Sequence, residues 1–394
     1  MSADKTRAHE TRAYKTRLVH ISRNETTDPR KSVNPPIVRA STVLFDSVQT
    51  MQETRALNES GERVFRYGAK GTPTTFKFED AITEIEGGAG TLLFPTGLAA
   101  VAHPFLSLLR PGDHVLLADS VYGPARAIAE QYLPQRGIDC EFYPRGHDEV
   151  VARLRSNTRM VYLDNPGSII FDIQDLPALS ALLQSRDIPL VVDNTWGCPG
   201  MYRPIPLGAD ISVVAITKYV AGHSDIMMGS VTSNARYLKQ LRTDSELLGQ
   251  TVSPDDAYQA LRGLRSVEAR LRQHAENTAI VTNWLATHPK VAEVLYPPRE
   301  GDRNHALWRR DFAGANGLLS IVFHDGVTQD AVNRFADSLQ LFGLGASWGG
   351  FESLVMVYNR VNGWSGGRIA RLHIGFEEPA DLIGDLDQAL AVIG

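Results

Sequence analysis

The sequence predicts an α/β protein in which helices cover both faces of a mostly parallel sheet, followed by a smaller α+β domain. Three observations predict it. Short apolar, β-branched runs alternate with helical patterns from about residue 74 onward. Polar residues of chemical interest fall at or just beyond the ends of several of those runs. After residue 254 the alternation gives way to one long helical stretch. Strands buried on both faces read as continuous apolar runs, which is how a parallel sheet under helices reads.

The elements follow in order. The opening stretch, "MSADKTRAHETRAYKTRLVHISRNETTDPRK", is polar and carries both signs of charge. It lacks the apolar segment of a secretory signal, and its acids Asp4, Glu10, Glu25 and Asp28 set it apart from a transit peptide. It reads as an extended arm lying on a neighbouring subunit, or as a disordered terminus. "TTFKFEDAITEIEG" has helical spacing and stops at Gly87-Gly88. "TLLF" is a strand, and "GLAAVAHPFLSLL" an apolar helix with an internal proline. "DHVLLAD" is a strand and "PARAIAEQYLPQRG" a helix with a glycine stop. "TRMVYLD" and "IPLVVD" are strands, with the helix "DLPALSALLQSRD" between them. "DISVVAITK" is a further buried strand. The long helix begins at Ser253-Pro254, an N-cap and first-turn pair, and "GLLSIVFHD" and "VTQDAVNRFADSLQ" follow it. The expected organisation is an arm and helix over 1–62 making intersubunit contacts, a first domain over 63–254, and an α+β domain over 255–394.

Composition narrows the function classes. A chain of 394 residues is long enough for more than one domain, and 43% apolar with 22% charged residues is ordinary for a globular protein. A net charge of −5 gives no reason to expect a nucleic-acid partner. No apolar run approaches the roughly 18 residues of a membrane span. Two cysteines, Cys140 and Cys198, are too few for a disulfide framework or a cysteine-rich metal site, and they fit a reducing cytoplasm. No metal is expected.

The chemistry centres on "VVAITKYVAGHSD", in which an apolar run ends at Thr217-Lys218 among small polar residues. Lys218 is either an ordinary snorkelling lysine or a desolvated amine able to form a Schiff base with a carbonyl cofactor. Asp193, closing "PLVVDNTW", is either a turn residue or the partner of a pyridinium nitrogen. "FPTGLAA" places Gly97 at a strand-to-helix turn, where backbone N–H groups and a helix dipole favour a phosphate, and Thr217 offers a hydroxyl to the same cup. A dinucleotide site is excluded, because "GGAGTLLF" lacks the third glycine of G-x-G-x-x-G and no suitable helix follows it. Tyr122, in "DSVYGP", is either core or a flat partner for a cofactor ring. Arg371, in "IARLHIG", lies between apolar neighbours and needs a counter-charge, from an internal salt bridge or from a substrate α-carboxylate. Together these residues point to pyridoxal phosphate, with Asp193 keeping the ring nitrogen protonated so that the ring acts as an electron sink.

"VDNTW", "AITKYVAGHSD", "ASWGGFES" and "RLHIGFE" occur in that order and resemble the Cys/Met-metabolism family of pyridoxal-phosphate enzymes, within it the bacterial cystathionine β-lyases. The resemblance runs from about residue 33 to the end. It implies a type I aminotransferase-like fold and a homotetramer whose active sites are shared across a dimer interface. It also implies residue roles. Lys218 would form the Schiff base and Asp193 hold the ring nitrogen, while Tyr122 would stack on the ring and share in catalysis. Gly97, Leu98 and Thr217 would bind phosphate, and Tyr67, in "RYGAKGT", would reach the neighbour's phosphate. Arg371, with Ser347, Trp348 and Asn165, would take the substrate, a small amino acid. The implied reaction is elimination of a side-chain leaving group, taking cystathionine to homocysteine, pyruvate and ammonia.

Four positions depart from that pattern. Ala69 stands where the β-lyases have an arginine, with Lys70 keeping a charge next door; Ala127 replaces an aspartate; Glu246 and Ala346 each replace a tyrosine. A carboxylate at Glu246 needs a counter-charge. It either turns outward to pair with Arg242 or faces the substrate. In the second case it favours a cationic tail such as that of canavanine, and a γ-elimination or replacement giving homoserine or 2-oxobutyrate.

Overall fold

The computed structural model describes residues 13–23, 30 and 32–393. Much of the expected arm lies outside the described residues. Its described helix, Tyr14–His20, places Leu18 in the same hydrophobic cluster as Ile82, Ile85, Leu261 and Leu264. Arg17 also pairs with Glu84 at 3.2 Å. This piece of the arm therefore packs on its own chain, where the sequence left a neighbouring subunit and a disordered terminus as alternatives.

The first sheet has seven strands: β1 (Gly90–Phe94), β2 (His114–Ala118), β3 (Asp139–Tyr143), β4 (Thr158–Asp164), β5 (Leu190–Asp193), β6 (Ile211–Ala215) and β7 (Gly229–Ser233), in the order β1-β7-β6-β5-β4-β2-β3. β7 is antiparallel to both neighbours and the other pairings are parallel, so β1, β2, β4, β5 and β6 all point the same way. The mostly parallel sheet is as expected. The second sheet, in the order β10-β11-β12-β9-β8, comprises β8 (Val291–Leu295), β9 (Leu318–Phe323), β10 (Gly343–Leu344), β11 (Leu354–Tyr358) and β12 (Ile369–His373).

Local chemistry sets the helix starts. Thr72 and Thr75 form a reciprocal capping box ahead of the helix Pro73–Glu86, with Pro73 at the first position. Thr96 caps the helix Gly97–Leu108 by accepting from the Ala99 N–H at 3.0 Å. Ser253 does the same for the helix Pro254–Leu285. That helix spans two cores. Ala257, Leu261, Leu264 and Val267 pack with the first domain, and Val281 and Leu285 with the second sheet. The cores thus meet along the helix, whereas the sequence placed the boundary at its start.

Three further details differ from the sequence reading. "PARAIAEQYLPQRG" is not one helix but an α turn Gly123–Ala127, a π turn Ile128–Tyr132 and a 3₁₀ turn Pro134–Arg136. Pro134 has no N–H to continue the ladder. β3 and β7 were not foreseen; β7 is the small, polar "GSVTS", buried by its neighbours, with Thr232 Oγ1 meeting Thr91 Oγ1 at 2.8 Å. β6 ends at Ala215, so Lys218 sits in the turn beyond it, where its N–H donates to the Ala215 carbonyl at 3.1 Å.

Candidate active site

The carboxyl ends of the co-directional strands bring the singled-out residues together. β1 leads to Gly97, β2 to Tyr122, β4 ends at Asp164, β5 ends at Asp193 and β6 leads to Lys218. Ligands of open α/β sheets lie outside this edge. The second domain adds Ser347, Trp348 and Arg371 from across the gap.

Lys218 Nζ lies 2.5 Å from Ser347 Oγ and 5.4 Å from the centre of the Trp348 ring. Burial, then the Arg371 charge, lower its pKa to about 8 against the opposing charge of Asp193. At pH 7 roughly a tenth of this amine is therefore unprotonated, far more than of an ordinary lysine. Arg371 is reached through the same serine: its Nη2 donates to the Ser347 carbonyl at 3.0 Å. Among the described residues no carboxylate pairs with the Arg371 guanidinium, whose pKa burial lowers. The internal salt bridge left open by the sequence is absent from the described residues. The guanidinium faces aromatic rings, with Tyr358 centred 5.9 Å away. Beside Tyr358 opens a cavity of about 660 Å³, walled also by Asp119, Arg126, Arg360 and Trp364.

Asp193 and Asp164 are direct neighbours across the β4–β5 pairing. Burial raises the pKa of both, and for Asp164 the charge of Asp193 adds to it. Asp193 Oδ1 accepts from the Thr195 N–H at 2.9 Å, and Asp164 Oδ2 from the Tyr122 N–H at 2.8 Å. Asp164 Oδ1 is buried without a partner. Sequence reasoning missed Asp164, although it closes "TRMVYLD" just as Asp193 closes "PLVVD". Tyr122 is 45% exposed, so its ring is available to a ligand, and burial of its hydroxyl end followed by the Asp193 charge raise its pKa.

The remaining expected residues divide. Gly97 opens its helix against Ala215, where an added Cβ would approach the Ala215 Cβ to 2.8 Å, so only glycine lets this helix end come so close to β6. The N–H groups of Gly97 and Leu98 are among those a first turn leaves without intrahelical acceptors. The Thr217 hydroxyl is held by Met228, donating to its carbonyl at 3.2 Å and accepting from its N–H at 3.0 Å. Tyr67 is 48% exposed in a separate turn. Asn165 is buried with its amide fully engaged: Nδ2 donates to Tyr202 Oη at 2.8 Å and Oδ1 accepts from the Gln174 N–H at 2.9 Å. It supports the loop after β4 and offers nothing open to a substrate.

Glu246 requires a correction. It pairs with Lys70 and not with Arg242: Lys70 Nζ lies 2.8 Å from its carboxylate, and Asn58 Nδ2 donates to it at 3.3 Å. The adjacent residue that kept a charge beside Ala69 is thus its counter-ion. With that charge satisfied, Glu246 gives no reason to expect a cationic tail, and the canavanine alternative loses its support.

The cluster suits one kind of cofactor. Asp164 and Asp193, adjacent and buried, have no salt-bridge partner among the described residues, Lys218 acting on Asp193 only through its charge, and a protonated ring nitrogen would suit them. The first-turn N–H groups of Gly97 and Leu98, which the Thr96 cap leaves free, suit a phosphate, and a buried amine with a lowered pKa suits a carbonyl carbon. Fold and site together define a pyridoxal-phosphate enzyme built on an aminotransferase-like sheet. Comparison with known proteins narrows the class: the chain belongs to the Cys/Met metabolism PLP-dependent enzyme family, whose model matches residues 15–391. It is 43% identical over 366 residues to a cystathionine beta-lyase of Bordetella avium, covering 91% of this chain and 92% of that one. It is 40% identical over 374 residues to cystathionine beta-lyase MetC of Escherichia coli K12, covering 92% and 94%. Among solved structures, cystathionine gamma synthase of Xanthomonas oryzae pv. oryzae, in complex with aminoacrylate and cysteine, superposes with a TM-score of 0.87 at 29% identity, covering 97% and 98%.

Proposed function

We propose that the chain is a lyase that cleaves the Cβ–S bond of cystathionine, consuming water and releasing homocysteine, pyruvate and ammonia. The observation that carries this reading is the unpaired, buried Arg371 guanidinium tied through Ser347 to the Lys218 amine. An α-amino acid presents a carboxylate next to its acidic Cα–H, and this pair of groups matches that arrangement. The identities to cystathionine β-lyases support the choice of substrate.

Pyridoxal phosphate, when bound, supplies the electron sink that makes loss of the Cα proton and departure of the sulfur accessible. Lys218 would hold its carbonyl carbon, Asp193 its ring nitrogen, Tyr122 its ring face, and the N–H groups of Gly97 and Leu98, with Thr217, its phosphate. Arg371 binds the substrate carboxylate and so fixes where Cα lies. The Lys218 amine, released toward the base form by burial, removes the Cα proton. Ser347 Oγ holds that amine in place, and Trp348 beside it limits water. The sulfur leaves Cβ with the bonding pair and takes up a proton as the homocysteine thiol. Water completes the release of pyruvate and ammonia.

The reading includes a homotetramer with shared active sites. The helix Val48–Ser60 buries none of its 13 residues, and Leu44, Val48, Met51 and Tyr67 are exposed, as suits contact with a second copy of this chain. It also includes a cytoplasmic location, in keeping with two cysteines that are both free thiols. Product analysis with cystathionine tests the function. Pyruvate and homocysteine in equal amounts are expected, whereas 2-oxobutyrate and cysteine would mean cleavage on the other side of the sulfur and reject it.

A further inference from the structure

The turn that presents Ser347 is strained. Ser347 has φ +92° and Gly349 φ +88°, and only the second is a residue for which that region is easy. A Cβ on Gly349 would come within 3.0 Å of the Lys218 carbonyl carbon and the Tyr219 nitrogen, so the turn rests directly on the lysine's backbone. A non-glycine residue persists in such a conformation only when its surroundings hold it there. β12 provides the hold. Arg371 and His373, two positions apart, lie on one face of the strand. Arg371 donates to the Ser347 carbonyl at 3.0 Å, and His373 Nε2 accepts from the Gly349 N–H at 3.0 Å. The two bonds grip the turn on either side of Trp348.

We propose that His373 is a positioning residue for the reaction, acting through Gly349 to keep Ser347 against both Lys218 and Arg371. It rests on the proposed function for its kinetic consequence and on geometry alone for the clamp. The role requires an unprotonated Nε2, which the other ring nitrogen secures: Nδ1 lies 3.1 Å from the Glu352 carbonyl and donates to it. Burial, then the neighbouring His274, hold the imidazole well below its usual pKa. The charges of Arg371 and Lys218 also oppose its protonation, and the His274 and Tyr219 rings lie 5.1 Å and 6.0 Å away. Neither the carboxylate site nor the amine needs this histidine as a reactant. Its contribution is the shape of the turn between them.

The test compares the wild-type holoenzyme with His373→Gln and His373→Asn. Both are neutral amides, but only the glutamine reaches the position of Nε2. The expected result is that His373→Asn speeds hydrogen exchange in residues 345–352 and raises KM for cystathionine about tenfold, with a smaller fall in kcat. His373→Gln should restore both to near wild type. An asparagine variant with wild-type exchange and KM overturns the proposal, as does a glutamine variant that behaves like the asparagine one. Residue-resolved exchange in the wild type gives a reading that needs no variant: the Gly349 N–H should be strongly protected, and a freely exchanging Gly349 rejects the clamp. If the wild type does not turn over cystathionine, the proposed function falls, and the exchange data alone decide for or against the clamp.

Discussion

Lys218 Nζ stands 2.5 Å from Ser347 Oγ, joining the first sheet's carboxyl edge to the second domain through one hydrogen bond. The Ser347 carbonyl accepts from Arg371, so one residue bridges a base and an anion-binding group. Moving either domain moves that distance, which makes the bridge a sensitive point for variants.

Lys218→Ala should cut turnover of cystathionine about a thousandfold. The protein should still take up pyridoxal phosphate through its other contacts, but without a borohydride-reducible bond to the chain. Steady-state rates and mass spectrometry after reduction check this. An unchanged rate would remove Lys218 from catalysis.

Arg371→Leu should raise KM for cystathionine by about a hundredfold, since a buried, charge-assisted bidentate partner for the carboxylate is lost. The same substitution should raise the Lys218 pKa, because a nearby positive charge disfavours the ammonium. Titrating the amine in the variant apoprotein measures the second effect independently of turnover.

In the wild-type apoprotein, Lys218 should react with an amine-directed reagent along a pH curve centred near 8. The ammonium is unreactive, so labelling rises with pH through that value and levels off where ordinary lysines are only starting to deprotonate. A midpoint near that of exposed lysines would show that the amine is not desolvated.

Asp164→Asn should stabilise the apoprotein at neutral pH. Asp164 and Asp193 have folded-state pKa values raised by burial. Their stabilising contribution is full below the unfolded carboxylate value, about 4, and is lost as pH rises through the raised folded values. Removing one charge of the pair should recover part of that loss. Denaturant titrations at pH 5 and pH 8 should show a smaller gap between the two for Asp164→Asn than for wild type.

Glu246→Gln leaves Lys70 without its carboxylate, near the half-buried Arg242, whose Nε already lacks a partner among the described residues. The pair is partly buried, and a coupling of about 1 kcal/mol between Glu246→Gln and Lys70→Met is expected in a double-mutant cycle. Additive effects would mean the pair contributes nothing.

Much of the site was legible in the sequence because polar residues at the ends of apolar runs are conspicuous. Asp193, Tyr122, Gly97 and Lys218 each follow such a run, and a parallel sheet gathers run ends at one edge. Asp164 carried the same signal and was passed over, since only the pairing of β4 with β5 sets it beside Asp193. β7 was invisible because "GSVTS" has no apolar pattern, its burial being imposed by β1 and β6 on either side.

The sequence by itself determined the fold class and the cofactor, and it singled out the lysine, aspartate, glycine and arginine proposed to hold that cofactor and the substrate, because periodicity and run ends are local properties of a chain. Tertiary structure decided the partners: that Glu246 pairs with Lys70 and not with Arg242, that Asn165 is engaged by Gln174 and Tyr202, and that Ser347 joins Lys218 to Arg371. These contacts join residues far apart in the chain. Which donor meets which acceptor then depends on strand register and on the angle at which two cores pack, and neither is written in local composition.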